Sequence, residues 1–171
     1  GSGAEDVLSL LFGRLRHRAG TVRKGDLDLR LREPAEAIGA GIAYVPADRL
    51  AESVFHAESI RSNITLPSLA RYVRNPVLRL VNRAAESHES RGVAERMRVR
   101  MPGIETAIDD LSGGNQQKVV LGRWLSTGAQ VFLLNSPTAA VDVGAKAEIY
   151  DLIEELAGEG AAVVFASTEL E

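Results

Sequence analysis

The chain contains no cysteine, which excludes a disulfide framework and any cysteine-based metal site. It also has no long apolar run: the longest, residues 161–166, has the length of a strand, whereas a membrane-spanning helix needs about 20 apolar residues. A cationic excess is absent too, because 20 Lys and Arg residues face 23 Asp and Glu residues. The formal net charge of −3 gives no general attraction to nucleic acid, so we expect no nucleic-acid partner.

Histidine is scarce, and His17, His56 and His88 lie too far apart to have the spacing of a metal-binding motif. We interpret all three as surface or core residues. Residues 63–65 match a glycosylation sequon, but nothing else indicates secretion and we treat the match as chance. The 171 residues suffice for one domain with a sizeable core, and 45% hydrophobic residues are ordinary for a soluble globular protein. We therefore expect a cytosolic chain that reaches any membrane through a partner.

The first third of the chain predicts short helices and strands. Two apolar pairs, each one helical turn apart, follow the glycine-rich residues 1–3 and favour a short amphipathic helix. Residues 21–31 alternate around a central glycine, which predicts a β-hairpin. A short helix is expected after Pro34, followed by a strand over residues 42–45.

Residues 55–110 differ in composition from the residues before them, because arginine becomes dense and strand signals disappear. Val93, Met97 and Met101 recur at helical spacing. Three prolines should divide the segment into short helices. We interpret the segment as a helical insert between two parts of an α/β domain.

The last third alternates between helices and strands. Residues 111–115 are interpreted as a loop before a helix, and residues 131–134 as a buried strand. An amphipathic helix after Pro137 should stop at Gly158, and residues 161–166 should form another buried strand. Apolar strands that alternate with helices predict a parallel sheet covered on both faces.

The most informative segment is Leu-Ser-Gly-Gly-Asn-Gln-Gln-Lys at residues 111–118, where a serine and two glycines directly precede a helix. A helix N-terminus offers unpaired N–H groups and a partial positive charge, and glycines let a phosphate approach the backbone. For Ser-Gly-Gly alone, an ordinary N-cap with a turn is the favoured alternative. The longer string resembles the signature motif of ABC ATPases, and its Asn-Gln-Gln-Lys part is similar to sugar-import members of that family.

Other strings resemble motifs of the same family and occur in its order. Residues 131–138 resemble the Walker B strand, residues 140–146 the D-loop, and residues 43–49 the Q-loop. Gly1, Ser2 and Gly3 stand at the position of the phosphate-binding loop. The resemblance covers nearly the whole chain.

The resemblance implies one partial ABC nucleotide-binding domain of the α/β class. Its expected fold is a P-loop NTPase-like parallel sheet covered by helices, with a helical subdomain insert and a small β-hairpin. Residues 1–54 and 111–171 would form the α/β core, and residues 55–110 the helical subdomain with the signature motif at its end. We expect the fold to be truncated at both ends, with residues 1–3 either native or a cloning remnant.

The departures from the family's motifs all affect one ATP site. Residues 4–6, Ala-Glu-Asp, bring two carboxylates where a phosphate loop needs a lysine. Asn135 and Ser136 replace the two Walker B carboxylates that bind metal and activate water. Ala47 stands at the Q-loop glutamine and Thr168 at the switch histidine. Loss of a general base alone costs about 10²–10⁴-fold in rate, so we expect negligible hydrolysis in this site.

The pattern resembles the degenerate second (C-terminal) nucleotide-binding domain of sugar-import ATPases of the ribose, xylose and galactose type. In that family two domains pack head to tail, and each signature motif completes the site of the opposite domain. The resemblance implies that Ser112, Gly113, Gly114 and Gln116 contact ATP and Mg²⁺ shared with a partner domain. Asp142, in the D-loop, would position groups across the interface, or it is simply a turn-forming residue before a helix.

The partners so implied are a second ABC nucleotide-binding domain, transmembrane permease subunits and, indirectly, a periplasmic or extracellular sugar-binding protein. The permease would touch the region after Ala47 and the helical insert, at the inner face of the cell membrane. Two alternatives remain: an active ATPase with unusual site residues, and a structural or regulatory ABC-fold module without a role in any ATP site. A DNA-repair or translation-factor origin is not favoured, because coiled-coil and basic additions are absent.

Overall fold

The computed structural model describes residues 3–16, 19–75 and 80–167. The first third of the chain contains helix α1 (Ala4–Leu11), strands β1 (Val22–Lys24) and β2 (Leu27–Leu29), helix α2 (Pro34–Gly39), strand β3 (Ile42–Val45) and helix α3 (Arg49–Glu52). The second contains helix α4 (Ile60–Thr65), a 3-10 helix (Leu66–Tyr72), strands β4 (Val73–Asn75) and β5 (Leu80–Val81), and helix α5 (Arg83–Arg96). The third contains helix α6 (Gly113–Gly122) between two 3-10 helices (Ile108–Asp110 and Leu125–Thr127), strand β6 (Val131–Asn135), helix α7 (Val143–Gly158) and strand β7 (Ala162–Ala166).

A parallel sheet with the strand order β3-β6-β7 forms the centre. Ile42 pairs with Val131, and Val131 pairs with Ala162. Strands β3 and β6 are almost entirely apolar and buried, as expected of parallel strands with both faces covered. The predicted α/β class and parallel sheet are confirmed, and so are the β1–β2 hairpin and helices α1, α2 and α7.

Strand β7 is less buried than the sequence predicted. Its residues alternate between exposed and half-buried, and Val164 is 40% exposed. Tyr150 of α7 contacts the ring of Phe165 at 6.2 Å, so this helix lies on the face opposite to Val164. The prediction of a buried strand was wrong, because among the described strands β7 pairs only with β6 and one of its faces stays open.

The arginine-rich segment 55–110 is mainly helical, as predicted, but it contains an antiparallel strand pair in which Val73 lies opposite Val81. The prediction that it lacks strands was wrong, because strands of two or three residues are too short to leave an alternating pattern. Helix α5 ends at Arg96, so Met101 does not continue its apolar row. Val93 and Met97 are buried as expected.

Arg123 joins the helical segment to the end of α6. Its Nε atom donates to the Asn63 carbonyl over 2.6 Å, and its guanidinium lies 5.2 Å from the ring centre of Phe55. Burial lowers the pKa of Arg123 to about 10. Asn63 is fully buried and its amide donates to the carbonyls of Phe55 and Ser59, so the sequon match is structural coincidence.

Three aromatic rings hold α1 against the sheet. Phe12 stacks on Tyr44 of β3 with ring centres 5.2 Å apart, and meets Trp124 edge-on at 5.7 Å. All three side chains are buried. The N-terminal helix, the central sheet and the end of α6 therefore share one core.

Candidate functional site

Helix α6 begins inside the segment predicted to be a loop. Ser112 is its N-cap residue, with φ −60° and ψ 154°, and the helix starts at Gly113. The Gln116 N–H donates to the Ser112 carbonyl over 2.9 Å. The prediction of a loop was wrong for residues 113–115, because glycine has low helix propensity and conceals the start of the helix. Residues 112–114, called the signature turn below, thus form the N-terminus of α6.

The Ser112 side chain does not cap the helix backbone. Its Oγ atom accepts a hydrogen bond from the Asn115 Nδ2 atom over 3.0 Å, while Asn115 Oδ1 accepts from the Arg100 N–H over 2.8 Å. Ser112 is exposed. The alternative prediction of an ordinary N-cap is therefore confirmed for the position of Ser112. Its side chain, however, does not bond to the helix backbone. The serine hydroxyl faces the outside of the molecule with its own proton unused by the bond from Asn115.

Both glycines of the signature turn lie in tight contact with other segments. A β-carbon at Gly113 would lie 2.5 Å from Nη2 of Arg49. A β-carbon at Gly114 would lie 2.4 Å from the β-carbon of Ala145 in α7. Both distances are shorter than van der Waals contact. At Gly114 the obstructing atom is a rigid β-carbon, so the glycine is required for packing, whereas a side chain at Gly113 would displace the end of the Arg49 side chain.

Arg49 connects the signature turn to the β6–α7 loop (residues 136–142). Its Nη1 atom donates to the Ala139 carbonyl over 3.0 Å, and its Nη2 atom donates to the Ala140 carbonyl over 3.4 Å. Its side chain is buried, and burial lowers its pKa below the ordinary value. Sequence reasoning missed this residue, because an arginine next to an Asp in a loop has no pattern that distinguishes it from a surface residue.

The β6–α7 loop has an unusual backbone. Ser136 and Ala140 have φ values of 44° and 53°, a left-handed conformation that non-glycine residues seldom adopt. The Ser136 N–H donates to the Ala166 carbonyl over 2.6 Å, which ties the start of the loop to β7. Asp142 ends the loop as the N-cap of α7, and its Oδ1 atom accepts from the Ala145 N–H over 3.0 Å. The helix-start interpretation of Asp142 is thus confirmed.

Gln116 and Lys118 point into the protein rather than outward with Ser112. The buried Gln116 amide donates to the Ile108 carbonyl over 3.2 Å. The buried Lys118 ammonium pairs with Glu148 of α7 and donates to the Arg98 carbonyl over 3.1 Å. The hydrogen bond from Lys118 and its positive charge hold the pKa of Glu148 below the ordinary value. The side chain of Gln116, predicted to bind nucleotide, therefore supports the helix from within.

The other predicted site residues lie at the ends of β6, α1 and β3. Asn135 ends β6 with a buried amide nitrogen that has no hydrogen-bond partner within the described residues. Gly3 precedes α1 with φ 75°, and the first turn of α1 carries the exposed Glu5 and Asp6. Ala47 is half-buried after β3. Gly1, Ser2 and Thr168 lie outside the described residues.

Comparison with known proteins identifies the architecture. A family model described as ABC transporter matches residues 1–139. The chain belongs to the ABC transporter family. Among solved structures, the ATP-binding cassette MJ1267 of an ABC transporter superposes with a TM-score of 0.80 at 19% identity, covering 99% of this chain and 68% of that one. The ABC ATPase fold implied by the motifs is therefore confirmed.

Curated relatives of this ABC domain are import ATP-binding proteins. The ribose import ATP-binding protein RbsA of Chromobacterium violaceum is 42% identical over 170 residues, which cover 99% of this chain and 33% of that protein. The arabinose import ATP-binding protein AraG of Shigella sonnei is 39% identical over 170 residues, with the same coverage. The chain thus spans about a third of the length of the relatives it matches.

In this ABC domain the predicted motifs fall into two groups. The signature turn, the β6–α7 loop and Arg49 are in direct contact, and Asp142 starts the helix that packs on Gly114. Asn135 and the first turn of α1 belong to the second group, around the ends of β6 and α1. None of the helices in residues 3–16, 19–75 and 80–167 has the length and hydropathy to cross a membrane.

Proposed function

We propose that this chain is a degenerate nucleotide-binding domain of a sugar-import ABC transporter ATPase, and that its signature turn acts in trans on ATP bound by a partner domain. The observation that carries the proposal is the contrast between an outward-facing Ser112 at the N-terminus of α6 and a buried, unpartnered amide at Asn135. The first group of residues is built to receive an anion, whereas the second group lacks the side chains that would hold one.

The residues of the domain's own site do not fit a magnesium nucleotide. Asn135 offers one neutral amide oxygen beside its buried, unpartnered Nδ2 donor, whereas Mg²⁺ favours charged carboxylate ligands. Ser136 cannot act as a general base at neutral pH. Glu5 and Asp6 in the first turn of α1 repel phosphate at the helix end where a phosphate loop would attract it. We propose that this site neither binds ATP firmly nor hydrolyses it.

The signature turn has the features of a phosphate contact. The first N–H groups of a helix have no intrahelical partner, and the helix dipole adds a partial positive charge at that end. Gly113 is half-buried and Gly114 is buried against α7, so the exposed part of the turn is Ser112, which adds a hydroxyl donor beside these N–H groups. ATP with Mg²⁺, bound by the partner domain, supplies the phosphate-transfer chemistry. Residues 112–114 of this chain stabilise its terminal phosphate from across the interface. Asp142, as the N-cap of α7, fixes the start of the helix that lies beside the signature turn in the proposed interface.

The proposed partners follow from the names of the relatives, which are ribose and arabinose import proteins. We propose a second ABC domain with an intact phosphate loop, permease subunits and, through them, a sugar-binding protein, with the domain at the cytoplasmic face of the membrane. An apolar groove of about 610 Å³, lined by residues that include Tyr44, Pro46, Phe55, Leu66 and Trp124, lies between the core and the helical segment. We propose this groove as the contact site for a permease subunit, because its lining is mainly apolar. We propose the division into core residues 1–54 and 111–171 and helical subdomain 55–110.

Binding of a fluorescent ATP analogue with Mg²⁺ tests the proposal. The chain alone should bind little or none, and a mixture with an ABC domain that has an intact phosphate-loop lysine should bind more tightly and hydrolyse faster. Ser112→Arg should abolish the gain by blocking the signature turn, whereas Ser87→Arg, a matched change on α5, should preserve it.

Two results would contradict the proposal. Firm binding and turnover by the chain alone would mean that the Asn135 and Ser136 site is active. An equal gain with wild type and Ser112→Arg would indicate an ABC-fold module that pairs without using its signature turn.

A further inference from the structure

Arg49 contacts two of the segments that meet at the proposed half-site, and it belongs to a third. Its own segment follows β3, and its two terminal nitrogens donate to the Ala139 and Ala140 carbonyls. The same Nη2 atom occupies the space into which a side chain at Gly113 would project. We infer that Arg49 is a positioning residue that fixes the β6–α7 loop to the signature turn, so that both move as one surface toward the partner's ATP. The inference rests on the proposed function.

The environment of Arg49 is unfavourable for a residue that only stabilises the fold. The side chain is 6% exposed, and its Nε atom has no hydrogen-bond partner within the described residues. None of the ion pairs formed by the described residues involves it. A buried guanidinium held only by carbonyl dipoles is costly to desolvate, and an apolar side chain of similar size would avoid that cost. What the guanidinium adds is a rigid planar fork with two parallel donors.

The loop that Arg49 binds needs such a restraint. Ala140 has a φ of 53°, and the carbonyl of this strained residue is one of the two acceptors. Without the guanidinium, the backbone at residue 140 is free to relax out of the left-handed region. Asp142, two residues later, would then lose its fixed distance from the signature turn.

The position of the charge also matters for an anion at the signature turn. The guanidinium lies beside Gly113, where a side chain would project, and its positive charge adds to that of the α6 N-terminus. Asp48, the neighbouring acidic residue, is exposed and its Oδ1 atom is occupied as the N-cap of α3. The positive potential beside the turn is therefore only partly compensated.

Two variants separate the geometric and electrostatic contributions. Arg49→Lys keeps the charge but loses the two-pronged contact, and Arg49→Met loses both. In the mixture with the competent ABC domain, Arg49→Met should lower the stimulated kcat by at least ~10-fold, because small displacements of positioned groups have effects of this size. Arg49→Lys should keep part of the stimulated kcat that Arg49→Met loses. In both variants KM for ATP should change less than kcat. Arg14→Met, which removes another arginine beside the same sheet, should leave stimulation unchanged.

Hydrogen exchange of the chain alone provides a readout that does not depend on the proposed function. In Arg49→Lys, which should fold, the hydrogen-bonded amides of Ala139 and Gln116, which donate to the Ser136 and Ser112 carbonyls, should lose protection together. Unchanged protection in both segments would overturn the inference even if the mixture hydrolyses ATP. Joint loss of protection without any stimulation by wild type would support the positioning role of Arg49 and refute the proposed function. Full stimulation by Arg49→Met would also overturn the inference.

Discussion

Gly114 lies so close to Ala145 that a β-carbon at residue 114 would come within 2.4 Å of the Ala145 methyl carbon. The contact brings the first turn of α6 against the first turn of α7, directly beside the exposed Ser112. Because the obstructing atom is a β-carbon and not the end of a flexible side chain, the two helices must separate if residue 114 gains a side chain.

We therefore expect Gly114→Ala to destabilise the domain by about 1–3 kcal/mol, the usual cost of overpacking a closely packed contact. Urea denaturation measures the change. Gly92→Ala is the matched control, since Gly92 is also helical and a β-carbon there meets nothing within 4 Å. It should stabilise the domain by up to about 1 kcal/mol through helix propensity. Equal effects of the two substitutions would contradict the close contact.

His56 should give the domain a pH-dependent stability. Its Nδ1 atom lies 2.6 Å from Asp109 Oδ1 and its Nε2 atom 3.1 Å from the Leu50 carbonyl, so both ring nitrogens face acceptors. The hydrogen bond to Asp109, followed by that to Leu50, raises the pKa of His56. This stabilisation is complete below the unfolded-state pKa of about 6.5 and is lost as pH rises through the higher folded-state value.

The checks are an NMR titration of the His56 ring and urea midpoints from about pH 5 to about pH 8. His56→Gln should remove the change of the urea midpoint with pH over this range. Asp109→Asn should lower the pH at which the His56 ring titrates. The pKa of Asp109 is itself depressed, first by the Ala57 N–H and then by His56, so its contribution is lost only as pH falls through its low folded value. A His56 midpoint at or below about 6.5 would contradict the bridge.

The Lys118–Glu148 pair should respond asymmetrically to substitution. Lys118 is 2% exposed, whereas the Glu148 side chain is 34% exposed and also pairs with Arg100 at 2.7 Å. Glu148→Gln removes the carboxylate from a buried ammonium, and Lys118→Met removes the buried charge itself. We expect Glu148→Gln to lower the urea midpoint more than Lys118→Met does.

The control for this pair is Glu155→Gln on the same helix, because its partner Arg98 and Glu155 itself are about half exposed. Exposed pairs contribute at most about 1 kcal/mol, so the midpoint should hardly move. A larger loss for Lys118→Met than for Glu148→Gln would mean that packing of the lysine stem, not its charge, stabilises the α6–α7 contact.

Ala140→Gly should raise the stability of the domain. At φ 53° an alanine incurs about 1–2 kcal/mol that a glycine avoids, and the added freedom of glycine in the unfolded chain offsets about half of that. The net gain should be below about 1 kcal/mol in urea denaturation. Ala139→Gly, in the same loop without a positive φ, should lower stability instead. A loss of stability from Ala140→Gly would show that the methyl group has a packing role.

The elements that sequence predicted correctly are those whose side chains are uniformly buried or periodic. The strand over residues 42–45 and the helix before Gly158 follow directly from the pattern of apolar residues. The strand pair β4–β5 and the half-open face of β7 depend on which neighbours are present, a property that no local pattern encodes.

The sequence predicted the residues that belong to a family motif, but it did not predict the residues that hold those motifs in place. Ser112, Gly113 and Gly114 were found because their string resembles a family motif. Arg49 was missed because its importance arises from carbonyls about 90 residues away in the chain. The inward direction of Gln116 could have been anticipated, since a residue three or four positions from the buried Val119 and Val120 shares their helix face.

The bonds that meet at Asn115 polarise the hydroxyl of Ser112. The Asn115 amide accepts a hydrogen bond from the Arg100 N–H through Oδ1 and donates one to the serine oxygen through Nδ2, so the two bonds are linked in series. Hydrogen bonds linked in this way strengthen one another, and an oxygen that accepts a bond becomes a better donor through its own O–H. The O–H that Ser112 presents to solvent is thus a stronger hydrogen-bond donor than that of an isolated serine, and this depends on a side chain with both an acceptor and a donor at residue 115.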